Sequence, residues 1–170
     1  MWINSNLHIC LYCENQLRNT NIKIIKNNNE VNAVPIIMDH SRILTERLLL
    51  RPFVSEDKMM ISSLCSDFDV SSMCMLVPHP YTADNAQYFL ENVCTATEKV
   101  TLGIVLRENQ VLIGCISLDD IAISSDDTKR KTASIGYWLG KQYWGRGFMT
   151  EAAKAIVSYG FEKLHLNELN

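Results

Sequence analysis

The chain has 170 residues, of which 47% are hydrophobic and 21% are charged, a composition typical of one globular domain with its own hydrophobic core. Its formal net charge of −3 provides no global basic field, which argues against duplex nucleic acid as a partner. No apolar run approaches the roughly 20 residues of a membrane-spanning helix, so we also expect no membrane partner.

Six cysteines are scattered along the chain, and residues 1–13 lack the basic start and continuous apolar stretch of a secretory signal. The sequence therefore predicts reduced thiols in a cytoplasmic protein. Cys10-x-x-Cys13, with His8 beside it, has the spacing of half a metal site, but no second cysteine pair follows at zinc spacing. We predict incidental thiols and no metal, the alternative being a small metal-binding module at the N-terminus.

Residues 1–37 differ in composition from the rest of the chain. Asparagines interrupt short apolar pieces such as Ile22–Ile25, and the hydrophobic periodicity is weak. We therefore predict a poorly ordered, asparagine-rich extension over residues 1–37 and a folded domain over residues 38–170. Two interpretations of the extension stay open: upstream sequence ahead of a start at Met38, or an added segment with its own role.

The domain opens with residues that predict a strand, because Leu48 and Leu50 face one way while Leu49 and Arg51 face the other. Leucine on both faces indicates a strand covered on both sides, as in an α/β sandwich. Ser55 is then a predicted helix cap. The apolar stripe expected on that helix consists of Ile61, Leu64, Cys65 and Phe68.

A rigid turn at Pro78-His79-Pro80-Tyr81 precedes the second predicted helix. His79 lines a substrate groove in one interpretation and is a partly exposed loop histidine in the other, which we favour. Thr82 is the predicted cap of the helix. Its expected buried face consists of Ala86, Phe89, Leu90, Val93 and Cys94.

Two β-rich runs, Val100–Arg107 and Val111–Leu118, predict an antiparallel hairpin. Gly114 in the second run indicates a bulge or a close backbone approach. Residues 119–131 are polar and predict a loop. Within it we interpret Lys129-Arg130-Lys131 as a solvated face, with contact to a phosphate or an acidic partner as the alternative.

The strongest pattern lies after this loop, where residues 132–164 predict a strand, a short loop from Gln142 to Gly147 and a long amphipathic helix beginning near Phe148. Gly145 and Gly147 permit a positive φ and leave no Cβ in the way of a ligand. The unpaired N–H groups and the positive end of the helix suit a phosphate or pyrophosphate. The apolar stripe of the helix consists of Met149, Ala152, Ala153, Ile156, Val157, Gly160, Phe161 and Leu164.

The order strand, Gln-x-x-Gly-x-Gly and helix resembles the acetyl-CoA-binding segment of the GNAT acetyltransferase superfamily. Ile135–Leu139 before the loop, Thr150-Glu151-Ala152 after it and the opening Ile43–Phe53 resemble the RimJ/RimL-like branch, which acetylates ribosomal-protein N-termini. The resemblance implies an α/β fold with a mixed, mostly antiparallel sheet flanked by helices. It covers Arg42–Asn170 and implies that the family's last strands and helix are absent, so we expect a C-terminally truncated domain.

The resemblance also implies a site for acetyl-CoA as cosubstrate, along the open edge of the central strand and over the glycine-containing loop. Gln142 is expected to brace the loop through its side chain. Arg146 either approaches the phosphates or faces solvent, and Trp144 either covers the cofactor or packs on the helix, which is the preferred interpretation. The implied cofactor-binding residues are Tyr137, Trp138, Leu139, Gln142, Gly145, Arg146, Gly147, Phe148, Met149 and Thr150.

Acyl transfer to an amine needs a base, a polarised thioester oxygen and a stabilised leaving thiolate. Relatives often carry an acidic residue early in the central strand, where this chain has Ser134. Asp119 and Asp120, at the end of the preceding strand, are candidates for a base acting through water, although we favour their interpretation as exposed loop acids. The family's Asn-x-x-Ser element, which can serve the leaving thiolate, is missing.

The resemblance thus implies acetyl transfer from acetyl-CoA to a primary amine, either a protein N-terminus or a small amine, with the expected truncation impairing the reaction. The alternative is a non-catalytic remnant that binds CoA or packs against a partner. An open strand edge recruits other strands, so we also expect a homo-oligomer or a partner chain that completes the sheet.

Overall fold

The computed structural model describes residues 42–74, 77–123 and 130–170. The predicted extension over residues 1–37, with its Cys10-x-x-Cys13 pair, lies outside these described residues, and so does Lys129. Within the described ranges, no helix is long and apolar enough to cross a membrane.

One six-stranded sheet organises the domain. Its strands lie side by side in chain order and are β1 (Ile43–Leu44), β2 (Leu48–Arg51), β3 (Val100–Leu106), β4 (Leu112–Ile123), β5 (Lys131–Leu139) and β6 (Glu168–Leu169). Neighbouring strands from β1 to β5 run antiparallel, and β6 pairs with β5 in parallel. This arrangement confirms the mixed, mostly antiparallel sheet expected from the sequence.

Helices cover the sheet on both faces. They are α1 (Lys58–Cys65), α2 (Phe68–Ser71), α3 (Ala83–Tyr88) and α4 (Phe148–Glu162). Leu48 and Leu50 belong to the core under α4, whereas Leu49 packs against the core on the opposite face. This alternation confirms the prediction that β2 is covered on both sides.

Two hydrophobic cores hold the layers together. The core under α4 includes Leu48, Leu50, Ile104, Ile116, Leu118, Ala152 and Ile156. The core under α1 and α3 includes Ile61, Leu64, Cys65, Val105, Leu112, Cys115 and Trp138. Gly160 permits the close approach of α4, because a Cβ there would lie 3.0 Å from Leu166 Cδ1.

The opening segment is a hairpin and not the single strand that the sequence predicts. Thr45–Arg47 form a turn between β1 and β2. The Thr45 N–H donates to the Leu48 carbonyl at 2.9 Å, and the Leu48 N–H donates to the Thr45 hydroxyl at 3.0 Å. The threonine side chain thus closes a local turn, which competes with an extended strand.

The first helical region differs from its prediction in two ways. Ser55 does not cap α1 but lies in a 3₁₀ turn, where the Asp57 carboxylate accepts the Val54 N–H at 2.9 Å. Phe68 is 62% exposed because it begins the separate helix α2. The carboxylate of Asp67 accepts the Asp69 N–H at 2.9 Å and so caps that new start.

Thr82 caps α3 as predicted, because its hydroxyl accepts the Asn85 N–H at 3.3 Å. Of the predicted buried face, Ala86 is fully buried, and Phe89 and Leu90 are partly buried and pack against the core under α1 and α3. Val93 and Cys94 are also only partly buried, and the helical period changes here, since α3 continues into a π-helical turn over Phe89–Val93.

The predicted hairpin is confirmed as β3 and β4. The pairing register shifts where Ile104 faces Gly114 and Val105 faces Leu112, so the strand bulges beside Gly114. A Cβ at Gly114 would also overlap the Trp138 carbonyl oxygen. Both predicted explanations of this glycine, a bulge and a close backbone approach, therefore hold.

The prediction of a loop over residues 119–131 is wrong at both ends. β4 continues to Ile123, and β5 already begins at Lys131. A second bulge lies between Asp119 and Ala122, with Asp120 at φ 52°. It accommodates the extra residues of β4, so that pairing with β5 continues from Ala122 onwards.

Candidate functional site

The loop after β5, residues 142–147, is called the glycine loop here. It turns into α4 through Gly145 at φ 72° and Gly147 at φ 76°. The Glu151 N–H donates to the Gly147 carbonyl at 3.1 Å, which is the first hydrogen bond of the helix. The N–H groups of residues 148–150 precede this bond, at the end of the helix that attracts anions.

Gly145 leaves open space beside the backbone, whereas Gly147 lies next to Arg47. A Cβ at Gly145 would have no heavy atom of the described residues within 4 Å. A Cβ at Gly147 would lie 3.5 Å from Arg47 Nη2, which is van der Waals contact. A positive φ strains any residue that carries a side chain. The backbone at Gly145 is therefore accessible to a ligand on the side where a side chain would otherwise project.

Trp144 braces the glycine loop. Its indole N–H donates to the Leu139 carbonyl at 2.6 Å, and its half-buried ring packs against both cores. Gln142, to which the sequence analysis assigned the brace, is exposed and forms no side-chain hydrogen bond in the described part of the chain. That assignment was wrong because the 3₁₀ turn over Lys141–Tyr143 leaves Gln142 outside and brings Trp144 back onto β5.

A second brace comes from Arg47, far away in the chain. Its Nη1 donates to the Arg146 carbonyl at 3.0 Å and its Nε to Glu151 Oε2 at 2.7 Å. The guanidinium also lies over the Phe148 ring, 4.6 Å from its centroid. Thr45 donates its hydroxyl to Glu151 Oε1 at 2.6 Å. The turn between β1 and β2 is thus joined to the glycine loop and to the first turn of α4.

Glu151 stays ionised in this network. Burial by itself would raise its pKa, but the hydrogen bonds from Thr45 and Arg47, together with the charge of Arg47, lower the pKa below its usual range. A carboxylate in the first turn of a helix is also favoured by the helix dipole. Sequence reasoning missed Thr45, Arg47 and Glu151 as a group, because no local pattern shows that the two segments meet.

Successive backbone N–H groups of β5 point alternately towards β4 and towards β6. The Gly140 N–H faces β4 and donates to the Ile113 carbonyl at 2.9 Å, whereas the Ile135 N–H faces β6 and donates to the Asn170 carbonyl at 3.1 Å. The backbone of Tyr137 therefore faces the same side as that of Ile135. Within the described residues, the ladder between β5 and β6 reaches no further than Ile135.

The three predicted edge residues consequently differ in orientation. The backbones of Tyr137 and Leu139 face away from β4, and the Leu139 carbonyl already accepts the Trp144 indole N–H. Trp138 is paired with Cys115 of β4, and its side chain is buried in the core under α1 and α3. Contact of these residues with a cosubstrate stays a prediction.

A fixed carboxylate lies on the sheet face that α1 and α3 cover. Asp119 and Ser134 are direct cross-strand partners on β4 and β5. Asp119 Oδ2 accepts the Ser117 hydroxyl at 2.8 Å, and Asp119 Oδ1 lies 3.5 Å from Lys99 Nζ. A Cβ at Gly136 would overlap Asp119 Oδ2, so this glycine makes room for the carboxylate. The Asp119 side chain is 28% exposed and remains accessible to solvent.

The structure thus brings two of the three catalytic candidates together. Asp120 lies apart from them, exposed at the bulge. The interpretation of Asp119 as a loop acid is wrong, because β4 extends past it. Ser117 was missed for the same reason: a strand that continues to Asp119 places residues two apart on one face.

Three of the described cysteines, Cys65, Cys94 and Cys115, are suited to packing and not to nucleophilic chemistry. Burial raises the pKa of Cys115 well above its ordinary value and raises those of Cys65 and Cys94 to about 12. These thiols therefore stay protonated at neutral pH. Among the described residues, no group of three or more His, Cys, Asp or Glu could hold a metal ion.

His79 lies beside α2. Its ring meets the Phe68 ring edge-on, with centroids 5.2 Å apart, and its Nδ1 lies 3.2 Å from Ser71 Oγ. Asp69 of α2 forms an ion pair with Lys141, next to the glycine loop. Helix α2 is therefore joined to the start of that loop, and a groove-lining role of exposed His79 stays a prediction.

Comparison with known families agrees with this geometry. The family described as "Acetyltransferase (GNAT) domain" matches residues 47–170, which is more than half of the chain. The chain therefore belongs to the GNAT acetyltransferase family.

Individual relatives extend this result. The uncharacterized N-acetyltransferase p20 of Bacillus licheniformis is 29% identical over 129 residues, covering 75% of this chain and 70% of p20. The putative ribosomal N-acetyltransferase YdaF of Bacillus subtilis is 41% identical over 58 residues, or 34% of this chain and 29% of YdaF. The structure of Vibrio cholerae spermidine N-acetyltransferase in complex with CoA and spermine matches with a TM-score of 0.58 at 19% identity, covering 72% of this chain and 68% of that one. This last similarity shows a shared fold.

Proposed function

We propose that the domain binds acetyl-CoA and transfers its acetyl group to a primary amine. The observation that carries this proposal is the glycine loop, whose two left-handed glycines precede the first turn of α4 in a member of the GNAT family. Backbone N–H groups at a helix N-terminus are a general site for phosphate groups. Acetyl-CoA supplies the acetyl group as an activated thioester.

Backbone groups form most of the proposed cosubstrate site. The N–H groups from Gly145 to Thr150 are proposed to bind the pyrophosphate, and the open space beside Gly145 supports this assignment. The edge of β5 at Tyr137 and Leu139 is proposed to bind the pantetheine arm in the manner of an added strand. The exposed side chain of Arg146 adds a positive charge next to the phosphate site.

Side chains form the proposed acceptor site. An amine must lose a proton before it attacks a thioester, so the site needs a base near β5. Asp119 meets that need because the Ser117 hydroxyl and Lys99 hold its carboxylate above Gly136. We assign Asp119 as the base, acting through water, with Ser134 lining the same face.

The amine would lose a proton towards Asp119 and form a C–N bond with the acetyl carbon, while the C–S bond breaks and CoA leaves as a thiolate that takes up a proton. Burial keeps the thiols of Cys65, Cys94 and Cys115 protonated, so the proposal includes no acetyl-cysteine intermediate on these residues.

Two classes of acceptor fit this arrangement. The RimJ/RimL-like motifs and the similarity to YdaF favour a protein N-terminus. The fold shared with the Vibrio cholerae spermidine N-acetyltransferase favours a polyamine. Both classes present a cationic primary amine, which the negative charge of Asp119 attracts.

Calorimetric titration with CoA tests the cosubstrate site. We expect the wild-type chain to bind CoA and Gly147→Glu to abolish measurable binding, because the new side chain brings both bulk and negative charge into the phosphate site. Ser63→Glu adds the same charge at an exposed position of α1 and is expected to keep the wild-type affinity. Equal CoA affinity in the wild type and Gly147→Glu would contradict the assignment.

An acceptor panel tests the reaction itself. Release of free CoA thiol is measured with acetyl-CoA and either N-terminal peptides or spermidine as acceptor. Turnover with peptides alone supports the protein N-terminus, and turnover with spermidine alone supports the polyamine. Binding of CoA without turnover on any amine would favour the non-catalytic alternative.

A further inference from the structure

Arg47, in the turn between β1 and β2, controls the direction of one peptide group in the glycine loop. Its Nη1 holds the Arg146 carbonyl at 3.0 Å. A peptide bond is planar and trans, so the Arg146 carbonyl and the Gly147 N–H point in opposite directions. By holding the carbonyl, Arg47 keeps the Gly147 N–H turned away from itself.

The guanidinium of Arg47 is itself held by further contacts. Its Nε donates to Glu151 Oε2 at 2.7 Å, and its plane lies over the Phe148 ring. The Glu151 carboxylate also accepts the Arg47 backbone N–H at 2.8 Å and the Thr45 hydroxyl at 2.6 Å. A planar guanidinium with several defined partners loses little freedom when it forms each hydrogen bond. The donor that fixes the loop is therefore held by contacts within the chain itself.

These contacts are poorly placed to stabilise the fold. The Arg47 side chain is 43% exposed, and an ion pair at such an exposure contributes little to folding stability. Their main consequence is local, because they fix the backbone at Gly147, where only glycine adopts the observed φ of 76° without strain.

We propose that Arg47 is a positioning residue for the phosphate-binding backbone: it orients the Arg146–Gly147 peptide so that the Gly147 N–H faces the pyrophosphate before the ligand arrives. The inference rests on the function proposed above. Without Arg47 the Arg146–Gly147 peptide can rotate. The ligand must then fix its orientation on binding, which lowers the affinity.

The test compares ligands that share one end of CoA. CoA and dephospho-CoA both contain the pyrophosphate, whereas pantetheine does not. We expect Arg47→Gln to weaken CoA and dephospho-CoA equally, by about 10- to 100-fold, which is the range of a lost charge-assisted hydrogen bond. Binding of pantetheine, measured by the same calorimetric titration, is expected to stay within about twofold of wild type, since no group of that ligand needs the peptide.

Two further variants complete the series. Arg47→Lys keeps the charge but not the planar guanidinium, so we expect its affinity for CoA to lie between those of the wild type and Arg47→Gln. Arg107→Gln is the matched control, because Arg107 donates to the Thr45 and Glu46 carbonyls at 2.6 and 3.0 Å in the same turn without touching the glycine loop. It is expected to keep wild-type affinity for all three ligands.

The outcomes separate this inference from the function on which it rests. Wild-type binding of CoA with equal binding by Arg47→Gln would overturn the role of Arg47 and leave the proposed function standing. Equal losses for CoA and pantetheine would show a merely structural role and would also overturn the inference. Failure of the wild type to bind CoA would overturn both proposals. Thermal unfolding of each variant verifies that the compared chains are folded.

Discussion

The two halves of the proposed site are built from different kinds of groups. The cosubstrate half uses the backbone of one continuous segment, residues 137–150, with glycines where a side chain would interfere. The acceptor half uses the side chains of Ser117 and Asp119 from β4 and of Lys99, the residue before β3. Backbone groups survive most substitutions, whereas a side-chain carboxylate does not. We therefore expect binding and chemistry to be separable by mutation.

The largest effect expected of a substitution is on the acceptor half. Asp119→Asn keeps the shape of the side chain but removes the base, so we expect kcat to fall by about 10²- to 10⁴-fold, the usual contribution of general base catalysis. CoA affinity, measured by calorimetry, should be unchanged. Asp120→Asn is the control, because that carboxylate is exposed at the bulge. An unchanged kcat in Asp119→Asn would contradict the assignment of Asp119 as the base.

Gly136→Ala sharpens the comparison by moving the carboxylate without deleting it. The new Cβ would overlap Asp119 Oδ2 and lie 2.7 Å from the Ser117 hydroxyl oxygen, and both are ends of side chains that can shift. A misplaced catalytic group costs up to about 100-fold in rate, so we expect a loss of about 10- to 100-fold in kcat.

Gly103→Ala is the matched control for that substitution. Its Cβ would meet Leu112 Cδ1 at 2.8 Å, in the core and away from Asp119. We expect a lower melting temperature with little specific loss of kcat. The opposite pattern, in which Gly136→Ala changes only stability, would show that the position of the carboxylate is unimportant.

Trp144→Phe weakens the brace of the cosubstrate half. The substitution keeps a ring but removes the N–H that the Leu139 carbonyl accepts at 2.6 Å. Losing one partner of such a bond costs about 1–2 kcal/mol of unfolding free energy, which denaturant titration can measure. Tyr143→Phe, on the neighbouring ring, should cost less. Equal costs in the two variants would show that the indole bond is not what holds the loop.

Glu151→Gln is expected to have the smallest effect, which is present at neutral pH and disappears in acid. Because the folded-state pKa of Glu151 lies below its usual range, its contribution to stability is complete at neutral pH and is lost as the pH falls through the folded-state pKa. As the pH falls below about 5, the unfolding free energy of the wild type should fall more steeply than that of the variant, by about 1 kcal/mol or less in total. Glu162→Gln, an exposed position on the same helix, should follow the wild-type curve. Superimposable curves for wild type and Glu151→Gln would contradict this account.

The local pattern of apolar residues and glycines was sufficient to predict a helix that buries one face, a tight turn and a hairpin. The period of the apolar residues predicted α4, whose start at Phe148 is confirmed. Glycines placed the turn at Gly145 and Gly147, because few other residues tolerate a positive φ. The hairpin of β3 and β4 followed from two β-rich runs and a short polar connection. These features depend on neighbours in the chain, so the sequence alone determined them.

Tertiary structure decided the rest, for a common physical reason. Arg47 and Glu151 are separated by 104 positions, and only the packing of α4 against the first hairpin brings them together. Asp119 looked like a loop acid because its bulge in β4 is stabilised by pairing with β5 and not by its own neighbours. The brace of the glycine loop was assigned to Gln142, but the turn after β5 leaves Gln142 exposed and directs Trp144 to the Leu139 carbonyl. Contacts between distant segments leave no local pattern, so the supports of the site became visible only in the folded chain.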